Sequence, residues 1–170
     1  SGKVWAFEPD ITLNEYLEAS IKSNDFTNIV LDNSAISDSN KTEYFYLSEN
    51  SELNYKTYNS NIHSQNIKVS CKTLDQCFIE KKWEKIDFLK IDAEGEEINI
   101  LKNASKFLSE QNPLIMLECS HLDFDKLIQI LEDYNYDFYR LIPSLELLVP
   151  LEDKSVIPLN LFCCKREKAQ

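Results

Sequence analysis

Four apolar runs in this sequence end in groups that could do chemistry. Lys3 to Phe7 runs into Glu8-Pro9-Asp10, and Asn28 to Leu31 runs into Asp32-Asn33-Ser34-Ala35. Ile86 to Ile91 runs into Asp92-Ala93-Glu94-Gly95, and Pro113 to Leu117 runs into Glu118-Cys119-Ser120-His121. In an open α/β sheet, ligands bind beyond the carboxyl ends of the strands. A parallel sheet would therefore gather these acids and hydroxyls on one rim. A carboxylate such as Glu8, ending the second strand of a dinucleotide-type fold, offers two acceptor oxygens to the hydroxyls of a ribose. An Asp or Ser after a strand also caps the next helix, and each position taken alone is open to that reading. Gly95 is one of only two glycines. It falls where a backbone would need positive φ, close approach to a ligand, or no more than a tight turn.

The elements that must position these groups follow from hydrophobic periodicity. Short apolar or β-prone runs are expected as strands at 3–7, 28–31, 42–47, 67–71, 86–91, 113–117, 136–142 and 159–164. Leu13, Tyr16, Leu17 and Ile21 recur at helical spacing, with Asp10 or Thr12 as the N-cap. Leu74, Phe78 and Ile79 mark the inward side of a second helix over 74–83. Ile98, Leu101, Phe107 and Leu108 mark one or two more, and Phe124, Leu127, Ile128, Leu131 and Tyr134 another. The alternation predicts an α/β sandwich with a mostly parallel sheet, its last two strands able to pair antiparallel. A Pro-containing segment between those strands has room for a short hairpin. No linker divides the 170 residues, so a single domain over 1–170 is expected. The stretch 48–66, rich in Ser, Asn and Tyr, reads as a long surface loop.

Composition narrows the partners. The chain is 43% hydrophobic and 28% charged, with a formal net charge of -11, which suits a soluble globular domain. The basic footprint that displaces counterions from nucleic acid is missing. Nucleic acid and anionic membrane surfaces are not the expected partners. The five cysteines are odd in number and none has C-x-x-C spacing. They read as reduced, buried small hydrophobes of a cytoplasmic protein rather than zinc ligands or a disulfide framework. No signal peptide and no apolar run of membrane-spanning length is visible.

Two segments carry a family resemblance. Val4-Trp5-Ala6-Phe7-Glu8-Pro9, and Ile86-Asp87-Phe88-Leu89-Lys90-Ile91-Asp92-Ala93-Glu94-Gly95-Glu96-Glu97, resemble signature segments of the FkbM methyltransferases. Shorter pieces agree in order and spacing: Asn33 to Asp38, Lys72-Thr73-Leu74-Asp75, and Pro113 to Glu118. The resemblance implies a Rossmann-like, seven-strand methyltransferase sandwich with an antiparallel last strand, binding S-adenosylmethionine. It implies that Glu8 holds the cofactor ribose, that Asn33, Ser34 and Ala35 lie by the adenine, and that Asp92 sits at the methionine end. The acceptor it implies is a hydroxyl on a sugar or small metabolite. Removing that proton needs a base, and Asp92, Glu94, Glu118 and His121 are the candidates. His121 has a suitable unperturbed pKa, and burial could raise that of Glu118. Tyr55 and Tyr58 in the 48–66 loop could stack on a carbohydrate.

The chain also departs from the family. Such methyltransferases begin with a strand and a glycine-rich turn, and no glycine-rich turn occurs here. The first strand is expected to be missing, either because upstream sequence is absent or because the chain is a relative that no longer binds cofactor. Two other functions compete with the enzyme: a non-catalytic interaction module on the same shell, and a nicotinamide-dependent oxidoreductase. The long block ending in Gly95 favours the methyltransferase over the oxidoreductase.

Overall fold

The computed structural model describes residues 2–47, 65–93, 95–119 and 124–166. The chain divides into two compact units, Ser1–Thr73 and Leu74–Gln170.

In the first unit, β1 (Val4–Phe7) pairs in parallel with β2 (Ile29–Asp32), and α1 (Ile11–Ser23) lies between them in sequence. The strands are half-buried rather than buried as expected, with Val4 48% exposed. Among the described residues this sheet has two strands only, and a sheet that narrow leaves part of each strand open. α1 starts where predicted. The Asp10 carboxylate accepts the N–H of Thr12 (2.8 Å) and of Leu13 (3.3 Å), which satisfies donors the first helical turn leaves over. Its apolar stripe is not inward, however, since Tyr16 is 70% exposed and Leu17 also faces solvent. The buried residue is Asn14, whose amide donates to the Glu8 carbonyl (2.8 Å). The helix is therefore held at its N-terminal end rather than along a face.

A separate three-stranded sheet completes this unit. β3 (Ala35–Ile36) runs parallel to β5 (Gln65–Lys72), and β4 (Lys41–Leu47) pairs with β5 antiparallel. Ala35, Val69 and Cys71 form its core, with Phe45 and Ile67 against them. Of the loop expected over 48–66, residues 65 and 66 open β5, and 48–64, with Tyr55 and Tyr58, lie outside the described residues.

The second unit carries a five-stranded sheet in the order β6-β7-β10-β8-β9. Its strands are β6 (Phe88–Ile91), β7 (Leu114–Glu118), β8 (Tyr136–Ile142), β9 (Leu147–Pro150) and β10 (Asn160–Lys165). Only β6 and β7 form a parallel ladder, and β10 is antiparallel to both β7 and β8. The sheet is thus mixed rather than mostly parallel. The last strand is antiparallel as expected, and because it enters between β7 and β8 it converts two neighbouring ladders at once. The segment between β8 and β10 does not hold a hairpin by itself: it supplies one arm, β9, which pairs with β8 around a 3-10 turn at Pro143–Leu145.

Four helices accompany this sheet: α2 (Leu74–Glu80), α3 (Glu97–Lys102), α4 (Ser105–Glu110) and α5 (Phe124–Glu132). Phe124, Leu127, Ile128 and Leu131 are buried, as the helical spacing requires. Alternate strand residues Ile115, Leu117, Leu161, Cys163, Tyr136 and Phe138 are buried with them, the period-two pattern of one covered sheet face. α2 stops at Glu80, short of the expected 83. Lys82 takes a positive φ of 48° and Trp83 N–H returns to the Phe78 carbonyl (3.4 Å), closing the helix end. Ile79 is 52% exposed, and Cys77 takes the inward place expected of it. None of the five cysteines forms a disulfide; Cys71, Cys77, Cys119 and Cys163 are buried. Among the described residues no helix is long and apolar enough to cross a membrane.

α4 has no cap of its own, since its N-cap position is Ala104. Asp75 on α2 supplies one, accepting the N–H of Phe107 (2.8 Å) and of Lys106 (3.1 Å). Asp75→Ala should lower unfolding free energy by about 1–2 kcal/mol, the range of a lost helix cap, read as a shift of the urea midpoint. An unchanged midpoint would show that water replaces the carboxylate.

Candidate functional site

In the first unit, parallel pairing sets Phe7 against Asp32, so Glu8 follows one strand where Asp32 ends the other. The Glu8 N–H bonds the Asp32 carbonyl (3.0 Å), fixing the two strand ends side by side. Glu8 Oε1 accepts the N–H of Asp10 (2.8 Å), so one oxygen belongs to the turn before α1. Burial pushes its carboxyl up from the ordinary value of 4.5, partly offset by the Asp10 N–H. Glu8 therefore does the local turn work and holds a charge that burial penalises.

Asp32 proves more central than its strand-end position suggested. Its Oδ1 accepts both the N–H (3.1 Å) and the hydroxyl (2.6 Å) of Ser34, and its Oδ2 pairs with Lys72 Nζ at 3.4 Å. Ser34 is thereby folded inward, at 1% exposure, while Asn33 stays exposed. Ala35 enters β3 and the core around Val69 and Cys71. Of the three residues expected by an adenine ring, then, two are occupied in packing and turn formation.

In the second unit, Ile91 pairs with Leu117 in parallel register. Asp92 follows β6 and Glu118 ends β7, on the same rim. Glu118 lies within hydrogen-bonding reach of Asp92. Asp92 is held below the usual aspartate range, first by Glu118 and then by Lys90, whose Nζ lies 2.7 Å from Asp92 Oδ2. Asp92 is thus held as a carboxylate on this rim. Cys119, next in the chain, is pushed up to about 11 by burial and offers no thiolate. Glu94, Ser120 and His121 lie outside the described residues.

The loop after β6 has its own supports. Glu96 N–H bonds the Ala93 carbonyl (3.1 Å), and Gly95 stands at φ +100° within that turn. A third turn residue with positive φ favours glycine. Glu97 Oε1 accepts the N–H of Ala93 (2.9 Å) and of Gly95 (3.3 Å). Neither Glu97 nor Lys90 stood out as a functional residue in the sequence. The signal for both was their place inside the long signature block, flanking the acids that had been chosen.

The methyltransferase FkbM domain family matches residues 1–138, and the chain belongs to that family. The fold is similar to that of the crystal structure of methyltransferase FkbM from Methylobacillus flagellatus KT, with a TM-score of 0.60 and 18% sequence identity. The match covers 95% of this chain and 36% of that one, so the chain spans well under half the solved protein's length. No curated protein matches.

Two outcomes check the site description. The folded pKa of Glu8 is raised, so its ionisation costs stability only above its unfolded value. Glu8→Gln should raise the thermal midpoint at pH 7 and lose that advantage as pH falls below 4.5; a gain persisting at pH 3 would contradict the burial argument. Nothing lies within 4 Å of a Cβ built on Gly95. Gly95→Ala should therefore cost about 1–2 kcal/mol through backbone strain alone, with no repacking of the core in its amide NMR spectrum.

Proposed function

We propose that this methyltransferase domain takes S-adenosylmethionine and methylates a hydroxyl of a sugar or small metabolite. The observation that carries the reading is the placing of Asp92 and Glu118 on one rim by the parallel register of β6 and β7. The sulfonium donor supplies an already activated methyl group, and the protein's work is alignment and proton removal. The residues fit such a donor. Asp92, kept charged by Lys90, suits the cationic methionine end. Glu8 keeps Oε2 for a ribose hydroxyl while Oε1 holds the turn. Asn33, Ser34 and Ala35 border the adenine in this reading, Asn33 being the exposed one. Asp92, Glu94, Glu118 and His121 are the candidate bases for the acceptor hydroxyl. Tyr55 and Tyr58 serve the acceptor.

The reading includes a further strand with a glycine-rich turn, in a Rossmann-like sheet, contributed by sequence other than these residues. Support comes from β1 and β6. Each has one ladder partner among the described residues, and Phe88 on β6 is 50% exposed. A cytoplasmic setting, a small-molecule or carbohydrate acceptor, and no nucleic-acid or membrane partner complete the proposal.

Glu8→Ala should weaken S-adenosylhomocysteine binding by roughly 1.5–3 kcal/mol, the scale of a hydrogen bond to a charged group, in a calorimetric titration. Wild-type affinity in that variant would remove Glu8 from the ribose site.

A further inference from the structure

The loop after β6 has to hold Asp92 at its ion pair with Lys90, 2.7 Å away, yet it includes a glycine at positive φ and exposes Asp92 and Gly95. Its internal backbone bond runs from Glu96 N–H to the Ala93 carbonyl. What ties it to the core is the Glu97 side chain. Glu97 opens α3, whose Ile100 and Leu101 are buried at 3% and 0% exposure. Glu96 at the N-cap makes no side-chain cap bond. The Glu97 carboxylate instead reaches back, and a single oxygen, Oε1, takes the N–H groups of Ala93 and Gly95, one on each side of residue 94. Charge-assisted bonds of this kind are stronger than neutral ones. Glu97 is half-buried, so water competes only in part.

We propose that Glu97 is a positioning residue: its carboxylate clamps the Ala93 and Gly95 amides and thereby sets Asp92 against Glu118 and Lys90. It acts through the loop and needs no contact with substrate or cofactor. The charged groups bearing on Asp92 are Lys90 on its own strand and Glu118 on β7. Loss of the clamp would let Asp92 swing away from both. The consequence for cofactor binding rests on the function proposed above, while the clamp itself does not.

The test compares Glu97→Gln with Glu97→Ala in the whole chain. Gln keeps an oxygen acceptor and loses the charge; Ala loses both. In the parent protein the Ala93 and Gly95 amide protons should move together as one carboxyl titrates and should exchange slowly with solvent. In the Gln variant they should stay protected but become insensitive to that titration. In the Ala variant protection should be lost, and the Asp92 carboxyl carbon should titrate closer to its ordinary 3.8. A residue needed for stability alone would lower the melting temperature and leave the Asp92 titration where it was, and that result overturns the proposal. Should the Ala variant fail to fold, the Gln variant decides: Ala93 and Gly95 amides whose shifts follow pH just as in the parent contradict the clamp. S-adenosylhomocysteine affinity should fall roughly tenfold in the Ala variant and recover in the Gln variant. If the amides and Asp92 respond as expected but no form binds that ligand, the clamp stands and the cofactor reading fails.

Discussion

Parallel register between β6 and β7 is the constraint on which the proposed chemistry depends. It places two carboxyl groups at the same end of neighbouring strands, where each bears on the other's ionisation. Lys90 breaks the symmetry by pairing with Asp92. Two acids that would be equivalent on sequence alone then differ in their partners. A slip of one residue in that ladder would send one of the two to the opposite face and break up the pair.

Local elements were legible because their patterns are local. β8 runs over Tyr136–Ile142 as the sequence predicts, and the buried face of α5 follows its helical spacing. Strand direction was less legible. Nothing within Asn160–Lys165 states that it will enter between β7 and β8, because that choice is made by pairing partners distant in the chain. Burial was least legible where partners are few. Tyr16 and Leu17 have helical spacing, but no described element covers them. Phe88, with Leu141 and Leu148, leaves apolar surface on the strands of the second sheet.

The candidate site was legible to the extent that strand ends are legible. Glu8, Asp92 and Glu118 all stand where an apolar run stops. What the sequence hid was the division of labour. Asp32 had the same signal as Glu8, yet its two oxygens are spent on Ser34 and Lys72. Asp75, part of a shorter signature piece, caps α4 from another helix. The Lys72 and α4 contacts join residues thirty to forty positions apart, which no spacing rule carries. The signature segments therefore mix residues that shape the loops with residues the chemistry would use.

The central claim is that this rim serves a methyl donor. It is met most directly by calorimetric titration of S-adenosylhomocysteine into the longest natural form of the protein, with the 170-residue chain beside it. The account predicts saturable one-to-one binding by the long form, and weaker binding or none by the shorter chain. No binding by the long form would contradict it, and would leave the strand-end acids as loop and helix supports of a non-catalytic module.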